Sequence, residues 1–147
     1  MKIVIQKVSS AFVEVSGRPK QSIGKGYCIL VGFKAGDSEN DVDILIEKIR
    51  YAKLFPLGEV RFAHSIIEED AEILLIPQYT LYGDIYSKHK PSFTYAMKPG
   101  YALLLFELFC TKIKAKGIKL KVGSFGEFMR VTIVNEGPVT FIVESNA

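Results

Sequence analysis

The chain has 147 residues, 48% of them hydrophobic and 24% charged, which leaves room for one compact domain and excludes intrinsic disorder and collagen-like repeats. A chain of this length buries roughly two-thirds of its unfolded surface and needs no disulfide or metal to fold. The longest unbroken apolar run, Tyr101 to Phe106, is far short of the roughly 20 residues that span a bilayer. The formal net charge of +3 is unevenly spread. Residues 86–121 carry eight lysines against Glu107 alone, whereas the flanking segments are each mildly acidic. Such a block attracts polyanions through counterion release, and it equally suits a solvated helix end, where cations complement the macrodipole.

In chain order, the opening MKIVIQKV alternates apolar and polar residues without a small-residue cleavage site, and so reads as a first strand and not a signal peptide. Lys2–Val8 and Ala11–Val15 are two strand patterns parted by Ser9-Ser10, and 16–19 is a turn. Tyr27–Phe33 is a continuous apolar run, as expected for a strand buried on both faces. A helix begins at Asp37 or Ser38, with Ser38 and Asp41 in a capping-box relation. It carries Val42, Leu45, Ile46, Ile49 and Ala52 on one face and is stopped by Pro56. Glu72–Gln78 is a strand, and Tyr79–Pro91 a polar, aromatic and basic surface loop. A second helix runs from Pro99 to Gly117, its first half so apolar that more than one face must be covered. Ile118–Val122, Phe128–Asn135 and Val139–Val143 complete about seven strands. The pattern predicts a single α+β domain over 1–147, a curved, mostly antiparallel or barrel-like sheet with two helices against it.

Cys28 and Cys110 sit in apolar segments and read as buried, reduced thiols, consistent with a cytoplasmic address. A zinc site would require both to converge with His64 and His89, and no metal or other cofactor is expected. Motifs for an activated serine, a zinc protease or a phosphate loop are absent from the sequence. Two polar clusters interrupt apolar strands: Pro77-Gln78-Tyr79-Thr80, and Asn135-Glu136-Gly137-Pro138-Val139-Thr140. By itself the first is a strand end with a hydroxyl satisfying backbone, and the second a hairpin turn.

Together, these clusters resemble the D-aminoacyl-tRNA deacylases over nearly the whole chain. The opening MKIVIQKVSSAFVEVSG, then IGKGYCILVGF, Pro91-Ser92-Phe93, GSFGEFM at 123–129 and NEGPVT follow the family's order and spacing. The resemblance implies a homodimeric, β-barrel-like α+β fold and hydrolysis of the ester between a D-amino acid and the tRNA 3′ end, with no DNA or membrane partner. In the family, the Gly-Pro peptide is cis and reaches from one subunit into the other's active site. Here that is Gly137-Pro138, whose carbonyls would exclude an L side chain while admitting D-residues and glycine. Gln78 and Thr80 match the family's Ser-Gln-Phe-Thr motif as ester-holding, catalytic residues, with Pro77 and Tyr79 in place of Ser and Phe. The resemblance further implies that the tRNA 2′-hydroxyl assists catalysis, that Phe125 and Met129 line the substrate pocket and that Ala102 leaves space for adenine. Lys88, Lys90, Lys112, Lys114 and Lys116 are the expected tRNA contacts. Pro77 also resembles a sister family that removes L-alanine from threonine tRNA. A non-catalytic tRNA-binding editing-accessory domain would share the fold and the basic block, and a general esterase would need an activated Ser or Cys.

Overall fold

A computed structural model describes residues 1–146. Strand β1 (Lys2–Glu14) is the hub of the main sheet. One of its edges pairs antiparallel with β2 (Gln21–Ile23) and β3 (Gly26–Gly32), and its other edge pairs along its whole length with β8 (Arg130–Glu144). Beyond β3 the sheet continues, in parallel pairings, through β6 (Glu72–Pro77) and β7 (Lys119–Val122). Parallel neighbours need long crossovers. Helix α1 (Glu39–Tyr51) and the β4–β5 hairpin (Lys53–Leu57, Val60–Ser65) fill the first, and helix α2 (Pro99–Ala115) fills the second.

The unbroken apolar runs in β3 and β6 are explained by two cores. Tyr27, Ile29, Val31, Ile73 and Leu75 face helix residues Leu45, Ile49, Phe106, Phe109 and Ile113. Their neighbours Cys28, Leu74 and Ile76 face the opposite way, into a second core with Val8, Ala11, Val13 and Ile23 that the curled sheet forms on itself. Alternate residues thus enter alternate cores, and no position is left for a polar side chain. The result is a mostly antiparallel, nearly closed, barrel-like sheet with two helices on one face.

Besides the strands β2, β4 and β5, which the sequence reading does not contain, and small shifts at the ends of α2 and β8, three features differ from it. Ser9-Ser10 does not split β1; the strand passes through, with register shifts against β8 between Gln6 and Ser10. Pro56 does not stop α1, which ends at Tyr51, but lies in β4. The Asn135–Thr140 segment is no hairpin turn. β8 continues past it, with Thr140 opposite Gln6 and Asn135 opposite Val8, so the intervening residues are looped out of the ladder as a bulge. Within the bulge the Gly137–Pro138 peptide is cis. At the start of α1 the expected cap is present: Asp41 accepts the Ser38 backbone N–H at 2.8 Å.

Candidate active site

Strand β6 ends at Pro77, and the chain turns at once into a 3₁₀ segment, Tyr79–Tyr82. Backbone bonds hold that turn: Gln78 N–H donates to Val31 (2.7 Å), Leu81 N–H to Gln78 (3.2 Å) and Gly83 N–H to Thr80 (2.9 Å). Gly32 permits it, because a Cβ there would lie 2.9 Å from the Leu81 side chain and 3.0 Å from the Gln78 carbonyl. The Gln78 side-chain amide donates to the Thr80 hydroxyl.

Beside this turn is a cavity of about 410 Å³ walled by Pro77, Tyr79, Phe93, Ala102, Phe125 and Gly126, with Ala96–Pro99 completing it. Tyr79 packs on Phe93 with ring centroids 5.0 Å apart, and Phe125 on Phe106 at 5.8 Å. The wall is apolar and aromatic, as ligand pockets generally are. Its one charged side chain among the described residues is Lys98, at the N-cap of α2. Proline occupies the first helical turn there and no side chain caps it, so an ammonium and a helix N-terminus together make one end of the cavity electropositive.

The sequence-derived candidates are distributed as follows. Pro77, Tyr79, Ala102 and Phe125 converge on the cavity, whereas Gln78 and Thr80 form the turn beside it and are not among its lining residues. Met129 is not on the wall; its sulfur accepts the Ser124 N–H at 3.3 Å and packs under the 123–129 loop against the second core. Lys88 and Lys90 are exposed on the 83–98 loop. Lys112 is engaged by Glu39 (2.8 Å) and Asp43 (2.5 Å), and Lys116 by Glu47 (3.3 Å), all on α1, while Lys114 is exposed. Residues 136–138 of the bulge are exposed, and the bulge lies toward the other end of β3. Asn135 is opposite Val8, which pairs with Gly26, whereas Gln78 bonds Val31. Thr140, at the other end of the motif, is opposite Gln6, which pairs with Cys28, so three to five residues of strand, about 10–17 Å, separate the two motifs along β3.

Ala96, Met97 and Lys98 join the wall without a signal in the sequence, whereas Phe93 and Gly126 belong to the Pro91-Ser92-Phe93 and GSFGEFM segments that carry the resemblance, without a site role of their own there. Their loops lack periodicity, and only Pro99, marking a helix start, hints that Lys98 would sit at an electropositive terminus. Neither histidine lines the cavity: His64 bonds Glu69 at 2.8 Å, and His89 is on the exposed loop. Burial pushes the Cys28 thiol up to about 12 and the Cys110 thiol up to about 11, which keeps both protonated and poor nucleophiles near neutral pH.

Comparison with known proteins fits this geometry. The family model described as D-Tyr-tRNA(Tyr) deacylase matches residues 4–144. The chain belongs to the D-aminoacyl-tRNA deacylase family. A D-aminoacyl-tRNA deacylase of Aquifex aeolicus is 39% identical over 145 residues, covering 99% of this chain and 98% of that protein. One from Bacillus licheniformis is 38% identical over the full length of both. Among solved structures, a protein described as c-Myc DNA Unwinding Element Binding Protein superposes with a TM-score of 0.92 at 32% identity, over all of both chains. A probable eukaryotic D-amino acid tRNA deacylase superposes with a TM-score of 0.86 at 16% identity, covering 97% of this chain and 98% of that one, and so shares the fold.

Proposed function

We propose that this protein hydrolyses the ester bond of D-aminoacyl-tRNA, releasing free D-amino acid and tRNA, and that it works as a homodimer in the cytoplasm. The observation that carries the reading is the cavity itself. An apolar pocket abutting the Gln78–Thr80 turn, with one electropositive end, suits an aminoacyl ester whose carbonyl oxygen becomes negative as it is attacked. Lys98 and the α2 N-terminus favour that charge, and Gln78 with the turn backbone positions the ester. No carboxylate or histidine lines the cavity among the described residues, which fits a reaction in which the tRNA 2′-hydroxyl assists. Pro77 contributes a ring and no N–H.

Chirality is read by exclusion. The exposed bulge at 136–138 has left the β-ladder, so its carbonyls are free to face another molecule. One chain's bulge lies toward the opposite end of β3 from its own cavity; a second copy supplies it. Backbone carbonyls placed against the substrate α-carbon reject an L side chain, pass a D side chain and pass glycine, so glycyl-tRNA is a further substrate. The test follows ester loss from D-tyrosyl-, L-tyrosyl- and glycyl-tRNA with the purified protein. Hydrolysis of the first and third with the second spared is expected; equal rates on both tyrosyl enantiomers would sink the reading. Preferential hydrolysis of L-alanyl-tRNA would instead assign the chain to the sister specificity that Pro77 resembles.

A further inference from the structure

The 123–129 loop turns its two phenylalanines apart. Phe125 enters the cavity wall, whereas Phe128, three residues on, is 88% exposed and belongs to neither core. The two Cα atoms are at most about 11 Å apart. Phe128 overhangs a second depression of about 370 Å³ at the far end of β1, lined also by Glu14, Arg18, Lys20 and Arg130. The charge there is not balanced. Arg18 is occupied by Glu127 at 2.6 Å, and Glu14 is directly opposite Arg130 in the β1–β8 register but forms no ion pair with it. Lys20 and Arg130 make no ion pair among the described residues, and the Lys20 ammonium is 4.3 Å from the ring centroid of Phe12. Apart from the Lys20–Phe12 contact, an exposed aromatic face beside cations without ion-pair partners adds nothing to the packed cores. It is the combination that single-stranded nucleic acid binds, bases stacking on rings and phosphates resting on cations.

We infer that Phe128, Lys20 and Arg130 form a contact site for the single-stranded RNA that leads away from the ester: a base stacks on the Phe128 ring, and adjoining phosphates lie against Lys20 and Arg130. This rests on the cavity at 77–80 being the ester site, since the Phe125–Phe128 loop is what joins the two. The strand that carries the ester leaves the cavity past Gly126 and meets Phe128 next.

Two substrates separate the sites. D-tyrosyl-tRNA spans both, whereas D-tyrosyl-adenosine, with no phosphate and no second base, reaches the cavity alone. Phe128→Ala is expected to raise KM for the tRNA five- to a hundredfold, the range of one lost stack, while leaving kcat/KM on the adenosine ester within about twofold. Lys20→Gln with Arg130→Gln should lower the slope of log KM against log salt by about 1.4, two single-strand phosphate contacts. Unchanged KM and slope in both variants overturn the inference, as does an equal loss on the adenosine ester. If the wild type hydrolyses neither substrate, the functional reading fails by itself. This site is then read by fluorescence anisotropy of a short oligoribonucleotide of the tRNA 3′ sequence, where weaker binding by Phe128→Ala supports it and equal binding overturns it.

Discussion

Thr80 carries the one aliphatic hydroxyl within the motif turn, and its surroundings decide whether it can be a nucleophile. A hydroxyl becomes one when a neighbouring base takes its proton. The partner of Thr80 is the Gln78 amide, a donor, which occupies the oxygen without removing its proton. No histidine or carboxylate shares the cavity wall among the described residues. Thr80→Ala is therefore expected to keep kcat within roughly tenfold of wild type, since losing a hydrogen bond costs on the order of 1 kcal/mol. Losing a true nucleophile costs roughly 10⁴-fold or more. Single-turnover ester loss from D-tyrosyl-tRNA distinguishes these, and a drop of several thousandfold would restore Thr80 as the attacking group.

At the scale of elements, the N-terminus of α1 is where sequence and tertiary structure meet in one side chain. Asp41 accepts the Ser145 hydroxyl at 2.7 Å and the Ser38 backbone N–H at 2.8 Å. The Ser145 bond, first, and the Ser38 bonds hold its carboxyl below the usual carboxylate range. A depressed acid contributes its stabilisation above its unfolded value, near 3.9, and loses it as pH falls through the lower folded value. Asp41→Ala is expected to lower Tm at pH 7 by about 3 °C, as for a lost cap of about 1 kcal/mol. The gap should narrow as pH falls below about 4 and go on shrinking through the lower folded value. A gap that stayed constant with pH in calorimetry would show that the carboxylate's charge is irrelevant. The same helix is legible in sequence because its cap and its period-3.6 face agree, and β3 and β6 are legible as unbroken apolar runs. The full lengths of β1 and β8 are not, because Ser9-Ser10 and Asn135–Thr140 carry turn residues while pairing with the partner strand resumes on both sides. The β4–β5 hairpin is hidden because Leu57, Val60 and Phe62 point apolar side chains outward, which erases the alternation that would mark a strand.

Across the whole molecule, the two motifs that identify the family are legible as residues but not as a site. Sequence alone cannot show that they lie at opposite ends of β3, nor that the lysine block is partly spent on α1 through Lys112 and Lys116. On the proposed reading, that separation leaves a single chain without the bulge its cavity needs. Exposed apolar side chains on β8 (Phe141, Ile142) and α2 (Tyr101, Leu104) are available to a second copy, and in the proposed homodimer a two-fold axis makes the contact reciprocal, so that a bulge set in the partner's cavity is matched by the partner's bulge in the first chain's cavity. The consequence is complementation. Gln78→Ala damages the turn, and Gly137→Ala damages the bulge. Gly137 has φ +134°, and a Cβ there would fall 2.8 Å from the Val139 side chain. Each homodimer should lose most of its activity. Unfolded together at equal concentration and refolded, half the dimers are mixed, and each mixed dimer has one doubly damaged site and one intact site. The mixture should regain about a quarter of wild-type D-tyrosyl-tRNA hydrolysis, with light scattering at about twice the 16.4 kDa chain mass. Activity no higher than the average of the two variants, in a mixture that is dimeric by light scattering, would show that each cavity is completed by its own chain and would defeat the exclusion of L-residues across subunits.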